Sequence, residues 1–129
     1  MLFEITILED ARSAIMADLS KYDHVVKTAE TVLAPVKRIE DGSVRVVVGY
    51  DLEDRRFLPT ADVFALRDGR GLTFRIRERR IEGATSVRVE TRDATSRTVT
   101  THPDWEDAFK EAGIAIERFG RTETLEANG

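Results

Sequence analysis

RDGRGLTFRIRER, residues 67–79, is the stretch that decides the fold of this chain. It opens with Asp68-Gly69, a pair that readily supplies the positive φ angles of a tight hairpin turn. Strict alternation follows, with Leu72, Phe74 and Ile76 at even positions and arginines at odd ones. Because successive side chains of a strand point to opposite faces of the sheet, the pattern predicts a strand with one apolar and one arginine-rich face.

Similar alternation, bounded by turn signals, predicts further strands on both sides of this segment. A second Asp-Gly pair, Asp41-Gly42, predicts another hairpin, and a loop at residues 81–85 predicts a third. Asp93-Ala94-Thr95 is expected to return the chain into one more strand. The predicted strands are 2–8, 31–40, 43–50, 63–67, 70–80, 86–92, 96–101 and a last one that begins at Ile114.

A helical period is found near each end of the chain, and the first segment starts at the acidic pair Glu9-Asp10. Its apolar positions are Ala11, Ile15, Leu19 and Tyr22. The second segment follows Pro103, a residue suited to a first helical turn, and we expect Gly113 to end it. Its apolar stripe is Trp105, Ala108, Phe109 and Ala112, which we expect to pack in the core.

Together these elements predict an α+β protein. We expect a curved antiparallel meander sheet of about five or six strands, with an N-terminal and a C-terminal helix packed on one face. The chain of 129 residues is the length of one ordinary domain. We therefore expect a single domain over residues 1–120, followed by a polar C-terminal tail, residues 121–129, that frays.

Composition narrows the classes of protein that this chain can belong to. It carries 20 Lys+Arg against 24 Asp+Glu, so its net charge of −4 makes a nucleic-acid partner unlikely. Cysteine is absent, and no apolar run approaches the ~20 residues that a membrane helix needs. With no basic leader at the N-terminus, we expect a cytoplasmic protein that does not enter a membrane.

The arginine-rich face is the first candidate site. It is expected to comprise Arg75, Arg77 and Arg79 of one strand beside Arg88 and Arg92 of the next. Five guanidinium groups exceed what Glu78 and Glu90 can neutralise, which favours an external phosphate or carboxylate as counter-ion. The alternative is a solvated sheet face laced with cross-strand ion pairs.

A second candidate is the acidic cluster Asp51, Glu53 and Asp54, whose carboxylates could hold a hard cation such as Mg²⁺. No fixed spacing demands a metal there, so a charged exposed loop is the alternative. His24 and His102 are far apart in sequence and have no histidine partner at helical spacing. No serine-nucleophile, phosphate-loop or dinucleotide-binding motif is found, so no catalytic residue and no cofactor is assigned.

The run from Tyr50-Asp51 through Arg55-Arg56 to residues 74–77 resembles half of the triphosphate-tunnel enzymes, which line a β-tunnel with basic and acidic side chains. The resemblance implies binding of triphosphate and a metal. The opening strand of those enzymes carries alternating glutamates ending in lysine, whereas this chain has Glu4, Thr6 and Leu8 there. Two of the three positions depart from the pattern, and we assign no family.

These observations predict a small non-enzymatic module whose arginine-rich face engages an acidic protein partner or an anionic ligand. The alternative is a metal-dependent enzyme that acts on a phosphorylated small molecule such as a triphosphate, with Arg75, Arg77 and Arg88 clamping the phosphate. A homodimer formed through an open sheet edge is a further possibility.

Overall fold

A computed structural model of the chain describes residues 2–7, 19–36, 42–53, 56–67 and 69–128. These described residues form six strands and two helices, named here in chain order. They are β1 (Leu2–Ile7), α1 (Leu19–Leu33), β2 (Ser43–Glu53), β3 (Arg56–Arg67), β4 (Arg70–Ile81), β5 (Ala84–Arg92), β6 (Arg97–His102) and α2 (Trp105–Asn128).

The six strands form one sheet in which spatial order follows sequence order from β1 to β6. Each pair from β2 to β6 is antiparallel, whereas β1 lies parallel to β2. The sheet is not closed, so β1 and β6 are its edges. This architecture confirms the predicted α+β class and the two helices packed against the sheet. Dimerisation through an edge stays a prediction.

Two tight turns organise the central strands. Arg67 pairs with Arg70, so the chain reverses between them in a hairpin as predicted, and Gly69 has a φ of +76°. The next turn is tighter than the predicted loop of residues 81–85. Glu82 and Gly83 both have positive φ, 54° and 81°, which is the geometry of the turn that best matches the twist of antiparallel strands.

The core lies between the sheet and the two helices. Leu72, Phe74 and Ile76 are all buried there, which confirms the predicted phase of β4. Helix α1 contributes Tyr22, Val25, Ala29 and Leu33, and α2 contributes Trp105, Ala108, Phe109, Ala112 and Ile116. The stripe predicted for α2 is therefore core, and the rings of Trp105 and Phe109 pack with centroids 5.6 Å apart.

The hairpin predicted at Asp41-Gly42 is wrong. Residues 31–33, expected to begin its first strand, are the last turn of α1, because Leu33 continues the buried stripe of that helix. The partners of β2 are instead β1 and β3. Asp41 lies outside the described residues, as does the first part of the predicted N-terminal helix, residues 8–18.

Gly113 does not end the second helix. Helix α2 continues to Asn128, and Ile116 extends its buried stripe, so the strand predicted from Ile114 is wrong. Gly113 is itself buried, and a Cβ built on it would lie 3.7 Å from the Leu33 side chain and 3.6 Å from the Val36 side chain. These are ordinary van der Waals distances, so the position beside the end of α1 has room for a methyl group. The backbone of residues 121–128 is helical, and fraying of the tail stays a prediction.

In the part of the chain that the structure describes, neither helix combines the length and the apolar character that crossing a membrane requires.

Candidate functional site

The arginine-rich face is the side of the sheet opposite to the helices. Pairing between strands sets Arg77 directly beside Arg88, and Arg75 directly beside Glu90. Alternation along β4 and β5 carries Arg79 and Arg92 to the same side. All five predicted residues therefore share one face. Arg45 of β2 and Arg97 of β6 extend it towards the sheet edges.

This face also carries carboxylates, and Glu90 is one of the two that the sequence suggested. Four of them contact its arginines or lie directly beside them, namely Glu4, Asp51, Asp62 and Glu90. Glu78 was expected among them, but its side chain is only 7% exposed on the helix-covered side. There it lies 2.7 Å from Lys21 Nζ and accepts a hydrogen bond from Trp105 Nε1 at 3.1 Å. Glu78 therefore links both helices to the sheet.

Arg77 is held by two carboxylates from other strands. Its Nη1 donates to Asp62 Oδ1 at 3.0 Å, and its Nε lies 3.2 Å from Asp51 Oδ2. Its side chain is only 20% exposed. The partners that neutralise Arg77 could not be read from sequence spacing, because they come from β2 and β3. An ordered internal network therefore replaces the external counter-ion at this position.

Glu90 is shared by two arginines at the β5–β6 end of the face. Arg97 Nε donates to Glu90 Oε1 at 2.6 Å, and Arg92 Nε lies 3.2 Å from the same oxygen. The hydrogen bond from Arg97, helped by the charges of Arg92 and Arg88, holds the pKa of the Glu90 carboxyl below its usual value. One carboxylate cannot fully neutralise two guanidinium groups, so positive charge remains at this end.

Arg75 and Arg88 differ from these paired arginines. Strand pairing places Asp62 and Glu90 directly on either side of Arg75, yet Arg77 holds the first and Arg97 and Arg92 hold the second. No described carboxylate lies within 4 Å of the guanidinium of Arg75 or of Arg88. Arg88 also sits directly opposite Arg77, an arrangement of like charges that is unfavourable without a counter-ion.

The chain matches no known family model, no curated protein sequence and no solved structure.

A shallow hollow of about 270 Å³ lies on the face beside Arg75 and Arg92, with Phe64 and Thr73 in its wall. Phe64 is 42% exposed, and Leu66 and Val99 on the same side are exposed to a similar degree. Arginines around exposed apolar side chains are the composition typical of protein–protein contacts. The exposed apolar residues of this face were not predicted, although the even positions of Phe64 and Leu66 in β3 would have indicated those two.

The predicted metal cluster finds no support among the described side chains. Asp51 is engaged by Arg77, while the side chain of Glu53 and all of Asp54 lie outside the described part. No group of three or more metal-ligating side chains occurs in that part. His24 is exposed on α1, and His102 Nε2 lies 3.1 Å from Glu111 Oε2.

Proposed function

We propose that this chain is a non-enzymatic interaction module that binds an acidic protein segment on its arginine-rich face. The observation that carries the proposal is the pair Arg75 and Arg88, which have no carboxylate of a described residue within 4 Å, whereas Arg77, Arg92 and Arg97 do. Carboxylates of a partner would complete the charge pairing of the face. A cytoplasmic location stays a prediction.

The shape and chemistry of the face favour a macromolecule over a small ligand. Its hollow of about 270 Å³ falls just below the ~300–1,000 Å³ of ordinary small-molecule pockets. Arg75, by contrast, lies beside exposed Phe64 on a broad sheet surface. An acidic peptide could pair with the guanidinium groups and also cover the exposed apolar side chains. A free phosphate could pair with the guanidinium groups but would leave the apolar side chains exposed.

Charge also favours this choice. The whole chain has a net charge of −4, so an excess of arginine on one face creates a local field of opposite sign. Such a field steers an acidic partner to this surface and discourages binding elsewhere on the molecule.

The test is fluorescence anisotropy of a labelled poly-glutamate peptide at low and physiological salt. We expect binding that weakens as salt rises, because exposed attractions are screened over ~8–10 Å at physiological ionic strength. Arg75→Gln with Arg88→Gln should remove most of the binding. The matched control is Arg80→Gln with Lys27→Gln, which removes the same charge from exposed positions outside the face.

Equal weakening by both double variants would show that only net charge matters, and the site would be rejected. A second arm measures stabilisation by tripolyphosphate with and without Mg²⁺. Metal-dependent stabilisation by tripolyphosphate, without peptide binding, would instead support the alternative of an enzyme acting on phosphorylated small molecules.

A further inference from the structure

A second concave surface lies on the opposite side of the sheet, between α2 and the inward faces of β4, β5 and β6. It is a cleft of about 650 Å³, within the size range of sites for small organic ligands. Its sheet wall includes Leu72, Thr98 and His102, and its helix wall includes Ile114 and Phe119. The cleft is independent of the arginine-rich face.

The cleft exists because α2 covers only part of the sheet. Phe109 and Ala112 pack fully buried against the core, whereas Thr98 and Thr100, on the inward side of β6, remain exposed. Residues that face a helix across a packed core are normally apolar. The inward side of β6 instead carries hydroxyl groups and His102. Polar side chains of this kind are expected in the wall of a cleft that is open to solvent.

One part of the wall is apolar. Ile114 is 52% exposed although it is a large hydrophobic side chain, and it lines the cleft together with Leu72, Ala115 and Phe119. These residues offer an apolar surface against which a flat organic group could pack.

The basic groups of the cleft include Arg70 and Arg118, beside that apolar surface. The guanidinium of Arg70 lies 5.4 Å from the centre of the Phe119 ring, in a cation–π arrangement. Arg118 makes no ion pair with any described residue. Two planar guanidinium groups near an aromatic ring suit a carboxylate attached to an apolar body.

Two of the acidic groups in the wall are already engaged. Thr100 Oγ1 donates to Glu111 at 2.7 Å, and His102 lies 3.1 Å from the same carboxylate. Asp93 accepts hydrogen bonds from the backbone N–H groups of Thr95 and Ser96, at 2.8 and 2.7 Å. Asp107 lies more than two helical turns from Arg118, about 16 Å along the axis. Glu111, the other acidic residue of α2 in the cleft wall, lies about 10 Å along the axis from Arg118.

We propose that this cleft binds a small aromatic monocarboxylate. Its carboxylate pairs with Arg118, Arg70 adds positive charge to the same cleft, and its ring packs against Leu72, Ile114 and Phe119. Glu111 lies about 10 Å along α2 from Arg118, and His102 of β6 lies beside it. These two side chains can accept or donate a hydrogen bond to a polar group at the far end of the ligand.

The test compares 1-naphthylacetate with the neutral 2-(1-naphthyl)ethanol by titration calorimetry and by amide chemical shifts of the whole chain. We expect the carboxylate to bind at least tenfold more tightly, with the largest shifts near Thr98 and Phe119. Arg118→Gln should weaken binding of naphthylacetate about tenfold, the loss of roughly one charge-assisted hydrogen bond, and leave the alcohol unaffected.

Two further variants provide controls. Arg88→Gln removes an equal charge from the opposite face of the sheet and should not change the affinity for naphthylacetate or for the alcohol. Ile114→Ser should weaken binding of both compounds several-fold, because it removes exposed apolar surface without disturbing the core. The proposal is overturned if wild type binds neither compound, if both bind equally, or if Arg88→Gln acts as Arg118→Gln does.

Discussion

Replacing Gly113 with alanine should stabilise this protein. Glycine in the interior of a helix is unfavourable relative to alanine, because its backbone loses more conformational freedom on folding. Gly113 lies within α2, at the point where that helix passes the end of α1. A Cβ at this position would lie 3.6 Å from Val36 Cγ2, 3.7 Å from Leu33 Cδ2 and 4.0 Å from the backbone oxygen of Val32. All three distances are ordinary van der Waals contacts.

The expected gain is about 1 kcal/mol in the free energy of unfolding, the full propensity difference with no steric cost against it. For a domain of this size that corresponds to a rise in Tm of roughly 3–5 °C. Urea denaturation followed by circular dichroism, together with calorimetry, would measure both quantities.

Gly113→Val is the matched control. Its branched side chain would push methyl groups into Val36 and Leu33, and we expect it to lower the stability by about 1–3 kcal/mol. If Gly113→Ala were itself destabilising, the two helices would have to lie closer than the structure shows, or α2 would have to break at Gly113.

Three other predictions concern folding. Phe74→Ala should cost about 3–5 kcal/mol in urea denaturation, whereas Arg75→Ala on the other face should stay within about 0.5 kcal/mol of wild type. Gly69→Val should be destabilising because its φ of +76° disfavours a branched side chain, and Gly71→Val, in open space without positive φ, should be tolerated. The Asp93 carboxyl should titrate below its usual pKa by NMR, because backbone N–H groups of the following turn stabilise its charged form. Its contribution to stability is present above the unfolded-state pKa and lost as pH falls; an unshifted pKa would contradict the turn geometry.

The sequence by itself determined the features that depend on neighbours along the chain. Alternation from Leu72 to Ile76 placed one face of β4 in the core, and Asp68-Gly69 predicted the turn before it. The apolar stripe that begins at Trp105 predicted the buried face of α2. The periodicity of a strand or helix is set by residues close together in sequence, so these features do not depend on contacts with distant parts of the chain. The same alternation places Glu78 with Phe74 on the core side. Counting Glu78 as a counter-ion of the arginine-rich face did not take this alternation into account.

Only the tertiary structure decided which distant groups meet. The turn signal at Asp41-Gly42 was overridden because β2 pairs with β1 and β3, and Gly113 did not stop α2 because α1 packs there. The same holds for the arginine-rich face, where Asp62 engages Arg77 from another strand and no described carboxylate lies within 4 Å of the Arg75 guanidinium. Such pairings depend on the register between strands that are far apart in sequence. The composition gives the number of charged residues but does not determine which of them come into contact.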